Sequence, residues 1–208
     1  MGEQRFRHMD CMSYRLQRKT MKPNLLLTLI SVIAMLGVEV VHGKECNGVK
    51  FPDETQVDGI NLTLNGLGLR QATMFKVKVY IAALYVAKPS NDANVILGSN
   101  TPKELVLHFV RNVTASDLNN AWEEGFDKQA SEFKDPLAML KGWMTDMKTG
   151  QRLVFVHKPG AGIQVDVNGA AKGTIKGDQF AKVFLSIWLG PNPPNPGLKT
   201  GLLGGACG

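Results

Sequence analysis

The sequence predicts an α+β fold in which one antiparallel sheet is covered on one face by helices. Two observations lead to this prediction. Beyond residue 43, strand-like alternating segments come first, helical segments lie in the middle, and further strands and a helix come last. This order differs from the regular β-α-β alternation of a parallel sheet, and the chain shows no internal repeat or linker. One domain of ordinary size is therefore expected.

The first strand-like segments begin at residue 60. Residues 60–64 alternate apolar and polar side chains, and the pair Asn65-Gly66 that follows is a strong two-residue turn signal. We therefore expect a β-hairpin that turns at this pair. From Phe75 the alternation returns, and beyond Tyr80 both faces become apolar. That change predicts a strand that runs into the middle of a covered sheet.

A strand and two helices are expected next. Residues 105–113 alternate as a strand does, and residues 114–117 resemble a capping box that starts a helix. The apolar face of this helix would consist of Leu118, Trp122, Phe126, Ala130 and Phe133. The second helix is expected to begin at Asp135-Pro136 and to end at Gly150. Its inward-facing residues would be Leu137, Leu140, Met144 and Met147.

The last part of the chain predicts three short strands and a helix. Residues 152–157 and 163–167 alternate, and the pair Asn168-Gly169 is expected to turn the chain into a third strand. Asp178 stands where it would cap the final helix.

A leader precedes the domain. The apolar run 25–38 follows basic residues, and small or apolar residues stand at 41–43, which is typical of a cleaved signal peptide. The rival interpretation is a transmembrane anchor, but the run is shorter than the ~20 residues that a spanning helix needs, and Glu39 interrupts its end. We therefore expect residues 1–43 to be leader and signal peptide. Residues 44–208 would be an exported domain, periplasmic or secreted, with no stable membrane span.

The charge of the domain bears on its possible partners, and its cysteines bear on a disulfide. The formal net charge is +6, but residues 44–208 carry eighteen Lys and Arg against fifteen Asp and Glu, hence +3. These basic residues are scattered between acids, so the sequence predicts no nucleic-acid partner.

Cys46 and Cys207 stand near the two ends of the domain, and an exported protein meets an oxidising environment. We therefore predict a disulfide between them.

The sequence contains no recognisable metal site, nucleophile elbow or cofactor-binding motif. His108 and His157 each stand alone within a strand, far in sequence from either cysteine, so no metal site is expected. The chain has no Gly-x-Ser-x-Gly elbow, no phosphate loop and no dinucleotide fingerprint. No cofactor is therefore expected.

Arg70 is the candidate anchor for an anion. It is one of three arginines after the leader, and it lies among apolar residues beside the strand that becomes buried on both faces. A guanidinium stays charged when partly desolvated and offers two parallel donors to a carboxylate. Tyr80 follows ten residues later, an even offset that would place it on the same face of an unbroken strand. A surface arginine in a hairpin is the alternative.

A resemblance to a known family rests mainly on residues 64–86. The segment LNGLGLR, followed by FKVKVYIAALYV, resembles the Gly-rich turn, arginine and strand of the chalcone isomerase family. Further similarity lies in residues 107–113, 155–175 and 186–194, and the whole likeness covers residues 50–204. The resemblance implies an open-faced β-sandwich, in which helices cover one face of a large antiparallel sheet and a ligand cleft lies between them.

The resemblance also implies roles for two residues. In the plant enzyme an arginine fixes an anionic substrate oxygen, and Arg70 matches that arginine. Tyr80 stands where the enzyme has a threonine, and no tyrosine after Tyr85 replaces the enzyme's tyrosine, which argues against flavonoid cyclisation. The family's fatty-acid-binding members are thought to hold a carboxylate with an arginine and a nearby tyrosine. Arg70 and Tyr80 fit that pair.

Three functions follow as hypotheses. The first is an exported module that binds a fatty acid or similar hydrophobic carboxylate through Arg70, Tyr80, Trp122 and Phe126, although the last two could equally belong to the core. The second is an isomerase, an intramolecular lyase acting on a chalcone-like or other enone, with Arg70 stabilising the oxyanion and Tyr80 donating a proton. The third is a ligand-free modulator of another exported protein. The sequence does not separate them.

Overall fold

Nine strands form two sheets in the part of the chain that the structure, a computed structural model, describes: residues 43–72, 74–127 and 132–207. The strands are β1 (Gly43–Cys46), β2 (Val49–Pro52), β3 (Glu54–Val57), β4 (Ile60–Ala72), β5 (Val77–Val86), β6 (Lys103–Phe109), β7 (Arg152–Lys158), β8 (Gly162–Val167) and β9 (Ala170–Lys176). Strands β3 to β9 lie side by side in chain order as one antiparallel sheet, and β1 pairs with β2 alone. Residues 1–42 of the predicted leader lie outside the described residues, whereas Gly43 begins β1.

Five helices accompany the sheet within these ranges. They are α1 (Ala93–Gly98), α2 (Ala115–Asp127), α3 (Lys134–Trp143), α4 (Asp178–Leu189) and α5 (Pro196–Leu202). Their apolar residues form one buried core with the sheet, in which Phe155 of β7 contacts Phe184 and Trp188 of α4. The predicted α+β fold, with one large antiparallel sheet covered by helices, is confirmed. None of the helices in the described ranges is long and apolar enough to cross a membrane.

The opposite face of the sheet carries a second, smaller core. Phe51 of the β1–β2 hairpin is buried there together with Leu62, Leu69 and Ile81. A disulfide joins Cys46 of this hairpin to Cys207, with 5.9 Å between the Cα atoms and a sequence separation of 161. The bridge therefore fastens the small hairpin to the C-terminal end of the domain.

The Asn65-Gly66 pair does not form the predicted turn. Strand β4 continues through it as one strand of thirteen residues, with a β-bulge between Leu64 and Gly66. The bulge shifts the alternation by one residue, so that Leu62 and Leu64 before it share a face with Leu67 and Leu69 after it. Asn65 is buried, and its side-chain amide donates to the carbonyl oxygens of Ser90 and Leu202. These distant partners replace the turn that the local sequence suggests.

Glycines on β4 allow helix α5 to lie directly against the strand. A Cβ atom at Gly66 would overlap the carbonyl oxygen of Gly201, and one at Gly68 would overlap that of Leu198. The reverse holds for Gly201, whose added Cβ would overlap the carbonyl oxygen of Leu67. The glycine-rich segment thus serves close packing of backbones.

The end of one helix and the start of one strand differ from the prediction. Helix α3 ends at Trp143 and not at Gly150, because Met147 leaves the helix and exchanges two backbone hydrogen bonds of 2.8 Å with Val113. Strand β5 begins at Val77, and Phe75 lies exposed in the preceding turn.

Asp178 does not cap its own helix. Gly177 occupies the cap position of α4, and the Asp178 carboxylate accepts the backbone N–H of Gly160 at 3.0 Å. The predicted turn at Asn168-Gly169 is present, with both residues in the left-handed region.

Candidate functional site

A cavity of about 450 Å³ lies between the helix-covered face of the sheet and two helices. Its walls come from the adjoining ends of β4, β5 and β6, from α2 and α4, and from the proline-rich segment 192–194. Most of the lining is apolar, and its largest members are Leu107, Phe109, Leu118, Trp122, Ile187 and Trp188. A concave, mainly apolar site of this size with a few polar groups is typical of small-molecule binding.

Arg70 and Tyr80 lie directly opposite each other on the paired strands β4 and β5, and both line the cavity. We expected them on one unbroken strand. They share a face because directly opposed residues of an antiparallel pair point to the same side of the sheet, with Cβ atoms roughly 5 Å apart. The structure therefore brings the two predicted anchor residues together, although by a different route.

The Arg70 guanidinium is half-buried and partly engaged by backbone. Its Nη1 donates to the carbonyl oxygen of Gln71 and, at 3.2 Å, to that of Pro194. Nearby, Asn195 accepts the Gln71 N–H at 3.1 Å and donates to the carbonyl of Leu69 at 3.2 Å. These bonds fix the proline-rich segment beside the guanidinium. Nη2 and Nε of Arg70 have no acceptor among the described residues, so they are available to a bound anion.

The Tyr80 hydroxyl accepts a hydrogen bond from Nε1 of Trp188 at 3.0 Å. Burial raises the pKa of the phenol, and the hydrogen bond from Trp188 and the charge of Arg70 oppose that rise only in part. The phenol therefore stays neutral at ordinary pH and keeps its own proton, which it can donate. Sequence reasoning missed Trp188 as a partner, although a buried indole N–H usually requires an acceptor.

The two predicted aromatic residues of α2 lie in different surroundings. Trp122 lines the cavity and stacks on Phe184 with 5.8 Å between the ring centroids. Phe126 is not part of the lining. It stacks on Phe180 at 5.4 Å and is 1% exposed, so it belongs to the core between the helices.

The cavity lining also contains charged side chains that were not predicted from the sequence. Arg111 follows β6 and adds a second guanidinium to the lining, and Asp117 and Glu124 add carboxylates from α2. Asp117 has a structural role, because its N–H donates to the Thr114 hydroxyl at 3.1 Å and its carboxylate accepts that hydroxyl at 2.8 Å. The predicted helix start at 114–117 thus has its cap.

A separate polar cluster lies between β6, β7 and the start of α4. Lys103 is 1% exposed, and its ammonium donates to the carbonyl oxygens of Ser99 and Thr101 at 2.7 and 2.9 Å. Burial lowers the pKa of Lys103 to about 8. His157 lies between Lys103 and Asp178, at 3.5 and 3.3 Å. This cluster was not predicted from the sequence, since lysine is rarely buried.

No group of three or more His, Cys, Asp or Glu side chains that could hold a metal ion occurs within the described ranges. His108 instead accepts from Nε of Arg152 at 3.1 Å.

The fold and the cavity define a class of α+β domains with an apolar ligand space between sheet and helices. Over residues 43–204 the sequence matches the chalcone isomerase-like family. The chain therefore belongs to the chalcone isomerase-like family, as its residues 64–86 indicated.

Comparison with solved structures agrees with this assignment. The structure is similar to the crystal structure of the Arabidopsis thaliana fatty-acid binding protein AtFAP1, with a TM-score of 0.63 and 15% sequence identity. The likeness covers 78% of this chain and 95% of that one, and at this identity it concerns the fold. No curated protein matches the chain in sequence.

Proposed function

We propose that residues 44–208 form an exported domain that binds a fatty acid or a similar hydrophobic carboxylate in the cavity. The observation that carries this proposal is the pairing of Arg70 with Tyr80 at the edge of a mainly apolar space. The two side chains supply donors, whereas a carboxylate supplies acceptors.

Arg70 supports an anion over a neutral ligand. Its guanidinium can offer two parallel donors to a carboxylate, and hydrogen bonds to charged partners are about twice as strong as those between neutral groups. Its contact with Pro194 orients the guanidinium, which reduces the entropy lost when a ligand binds.

Tyr80 also favours an anionic ligand over a neutral one. Its raised pKa keeps a neutral O–H beside the guanidinium, and an O–H is a donor to a carboxylate. A deprotonated phenol would instead repel an anion. The pair therefore combines one charge with three or more donors directed to one acceptor group.

The apolar walls support a hydrocarbon tail. Leu107, Leu118 and Ile187 line the space, and Trp122 and Trp188 add large apolar surface. Each methylene that leaves water for such surroundings contributes about 0.8 kcal/mol. A ligand with a carboxylate head and an apolar chain uses both parts of the site. The fold shared with a protein described as fatty-acid binding points in the same direction.

Calorimetric titration of the processed protein with palmitate and with methyl palmitate tests the proposal. Both ligands carry the same tail, and only the acid offers an anion to Arg70. We expect saturable binding of the acid at one site and at least tenfold weaker binding of the ester. Equal affinity for both, or no binding of either, would contradict the proposal. Native mass spectrometry of the purified protein provides an independent readout, because a bound acid adds its own mass.

An isomerase acting on an enone is the competing function. Its supporting observation is the same neutral Tyr80 proton beside a cation that could stabilise an oxyanion. Turnover of a panel of chalcones, followed by the loss of their visible absorbance, would favour that function over simple binding. Absence of turnover together with acid binding favours the binding module.

Export is tested by the mass of the protein. An intact mass that begins near Lys44 in the periplasmic or secreted fraction is the expected result. A protein that retains residues 1–43 in a membrane fraction would contradict a cleaved signal peptide.

A further inference from the structure

The turn between β4 and β5 exposes two large apolar side chains. Met74 is 87% exposed and Phe75 is 81% exposed. The next most exposed large apolar side chain among the described residues, Val95, is 57% exposed. We call residues 74–76 the apolar tip.

The composition of the apolar tip is unusual for a turn. Such connections generally hold Gly, Asn, Asp, Ser or Pro, which satisfy the backbone without placing apolar surface in water. Here Lys76 takes the left-handed conformation, with φ of 52°, so the turn is made without a glycine at that position. Met74 and Phe75 contribute nothing to either core of the domain. Their exposure indicates contact with an apolar phase.

The charges around the apolar tip have one sign. Residues 70–80 contain Arg70, Lys76 and Lys78 and no Asp or Glu. Lys78 donates to the side chain of Asn47 at 2.5 Å, which places the uncharged turn of the β1–β2 hairpin beside the tip. Apolar side chains followed closely by two lysines match a surface that is negatively charged outside and apolar beneath.

The apolar tip also lies at one end of the cavity. Ala72, the last residue of β4, and Val79, near the start of β5, both line the cavity. A surface that receives the tip would therefore lie against this end of the cavity.

We propose that the apolar tip inserts into a lipid bilayer with anionic headgroups, so that this end of the cavity faces the membrane. Met74 and Phe75 enter the boundary between headgroups and acyl chains, and Lys76 and Lys78 contact the headgroups. This inference goes beyond ligand binding and does not depend on what the cavity holds.

Flotation of the processed protein with lipid vesicles tests the proposal. One set of vesicles is phosphatidylcholine alone, and the other contains about one-third phosphatidylglycerol. The parent is compared with Met74→Ser/Phe75→Ser and with Lys76→Gln/Lys78→Gln. The matched control is Val95→Ser/Met139→Ser, which removes exposed apolar surface from α1 and α3, away from the cavity lining.

We expect the parent to bind the anionic vesicles and the serine tip variant to bind at least tenfold more weakly. Each lysine removed should lower binding to anionic vesicles about fivefold and leave binding to neutral vesicles unchanged. The control should bind as the parent does, and circular dichroism should show all variants folded.

Three results would overturn the inference. The first is that the parent fails to bind anionic vesicles. The second is that the serine tip variant binds them as well as the parent does, and the third is that the control loses as much binding as the tip variant. Sedimentation velocity could give a fourth result that contradicts the inference. Self-association that is abolished by the tip substitutions would assign the tip to contact between copies of this chain.

Discussion

Trp188 and Tyr80 are joined by a hydrogen bond in which the indole nitrogen donates to the phenol oxygen at 3.0 Å. The two residues come from α4 and β5, which form opposite walls of the cavity. Because the phenol oxygen accepts this bond, its proton remains for a ligand. The same bond satisfies an indole N–H on a side chain that is 2% exposed. The Tyr80 hydroxyl thus accepts one hydrogen bond from the protein and can donate its own proton to a ligand.

Tyr80→Phe is therefore expected to lower both stability and affinity. The buried Trp188 N–H loses its acceptor, which costs about 1 to 3 kcal/mol of unfolding free energy, and the carboxylate loses one donor. Urea denaturation and acid titration measure the two effects. Tyr85→Phe is the matched control, since Tyr85 donates to the Pro52 carbonyl in the core on the opposite face. The control should lose stability and keep acid affinity; equal acid affinity in both variants would exclude Tyr80 from the site.

Arg70→Ala should weaken binding of a long-chain acid by at least about tenfold, because charge-assisted hydrogen bonds are lost. Its effect on the methyl ester should be small, since the ester offers no anion. Arg70 also holds the Pro194 carbonyl, so the ratio of acid to ester affinity is the decisive quantity. Arg152→Ala is the control, because Arg152 lies over Phe51, 5.9 Å from its ring centroid, and does not line the cavity. An unchanged ratio in Arg70→Ala would refute the anchor.

Asn65→Ala should destabilise the domain by about 1 to 3 kcal/mol, because it leaves the carbonyl of Leu202 and the N–H of Ser90 without their side-chain partner. The comparison is Asn61→Ala on the same strand, where the amide only accepts from exposed Gln56. We expect that control to change stability by less than about 0.5 kcal/mol. Equal melting temperatures for the two variants would contradict a structural role for Asn65.

Lys103 should make stability depend on alkaline pH. Burial lowers its pKa from 10.5 to about 8, so between these values the unfolded chain binds a proton that the folded chain does not. Stability therefore rises with pH across this window, by at most about 3 kcal/mol, since the bonds from the ammonium to two carbonyls oppose the shift.

The difference in unfolding free energy between parent and Lys103→Met measures this effect from pH 7.5 to 10.5. It should increase with pH. Lys158→Met is the control for the removal of a lysine, because Lys158 is partly exposed and pairs with Asp58 at 2.9 Å. A flat or falling difference for Lys103→Met would show that Lys103 keeps an ordinary pKa.

Cys46→Ser/Cys207→Ser should lower the unfolding free energy by about 3 to 5 kcal/mol, because the bridge closes a long loop in the denatured chain. Acid affinity should stay unchanged, since the bridge lies on the face opposite the cavity. Thiol titration of denatured, unreduced protein gives a separate measurement. Two reactive thiols in the processed chain would mean that the bridge does not form.

The order of most strands and helices after residue 60 could be predicted because those elements carry their own periodicity, whereas β1 to β3 and α1 were not predicted. Asn65 shows where such local reasoning fails: it has the sequence of a turn, but its partners are 25 and 137 residues away. Met147 shows the same limit, since its helical spacing is overridden by pairing with Val113.

The candidate site was predicted in part. Arg70 and Tyr80 could be chosen from residue chemistry and resemblance, and the structure places both at the cavity. Trp188 could not, because its role depends on the hydroxyl of Tyr80, which a distant strand contributes. Phe126 shares a helix face with Trp122, but one further turn of the helix takes it out of the cavity and into the core.

The packing of α5 against β4 has a consequence for how the domain folds. The backbones touch through Gly66, Gly68 and Gly201, and the Asn65 amide reaches a carbonyl 137 residues later. Until residues 196–202 have been synthesised, β4 therefore lacks the helix that packs against it, and Asn65 lacks one of its hydrogen-bond partners. Contacts of such high sequence separation slow folding and favour completion after the whole chain has emerged.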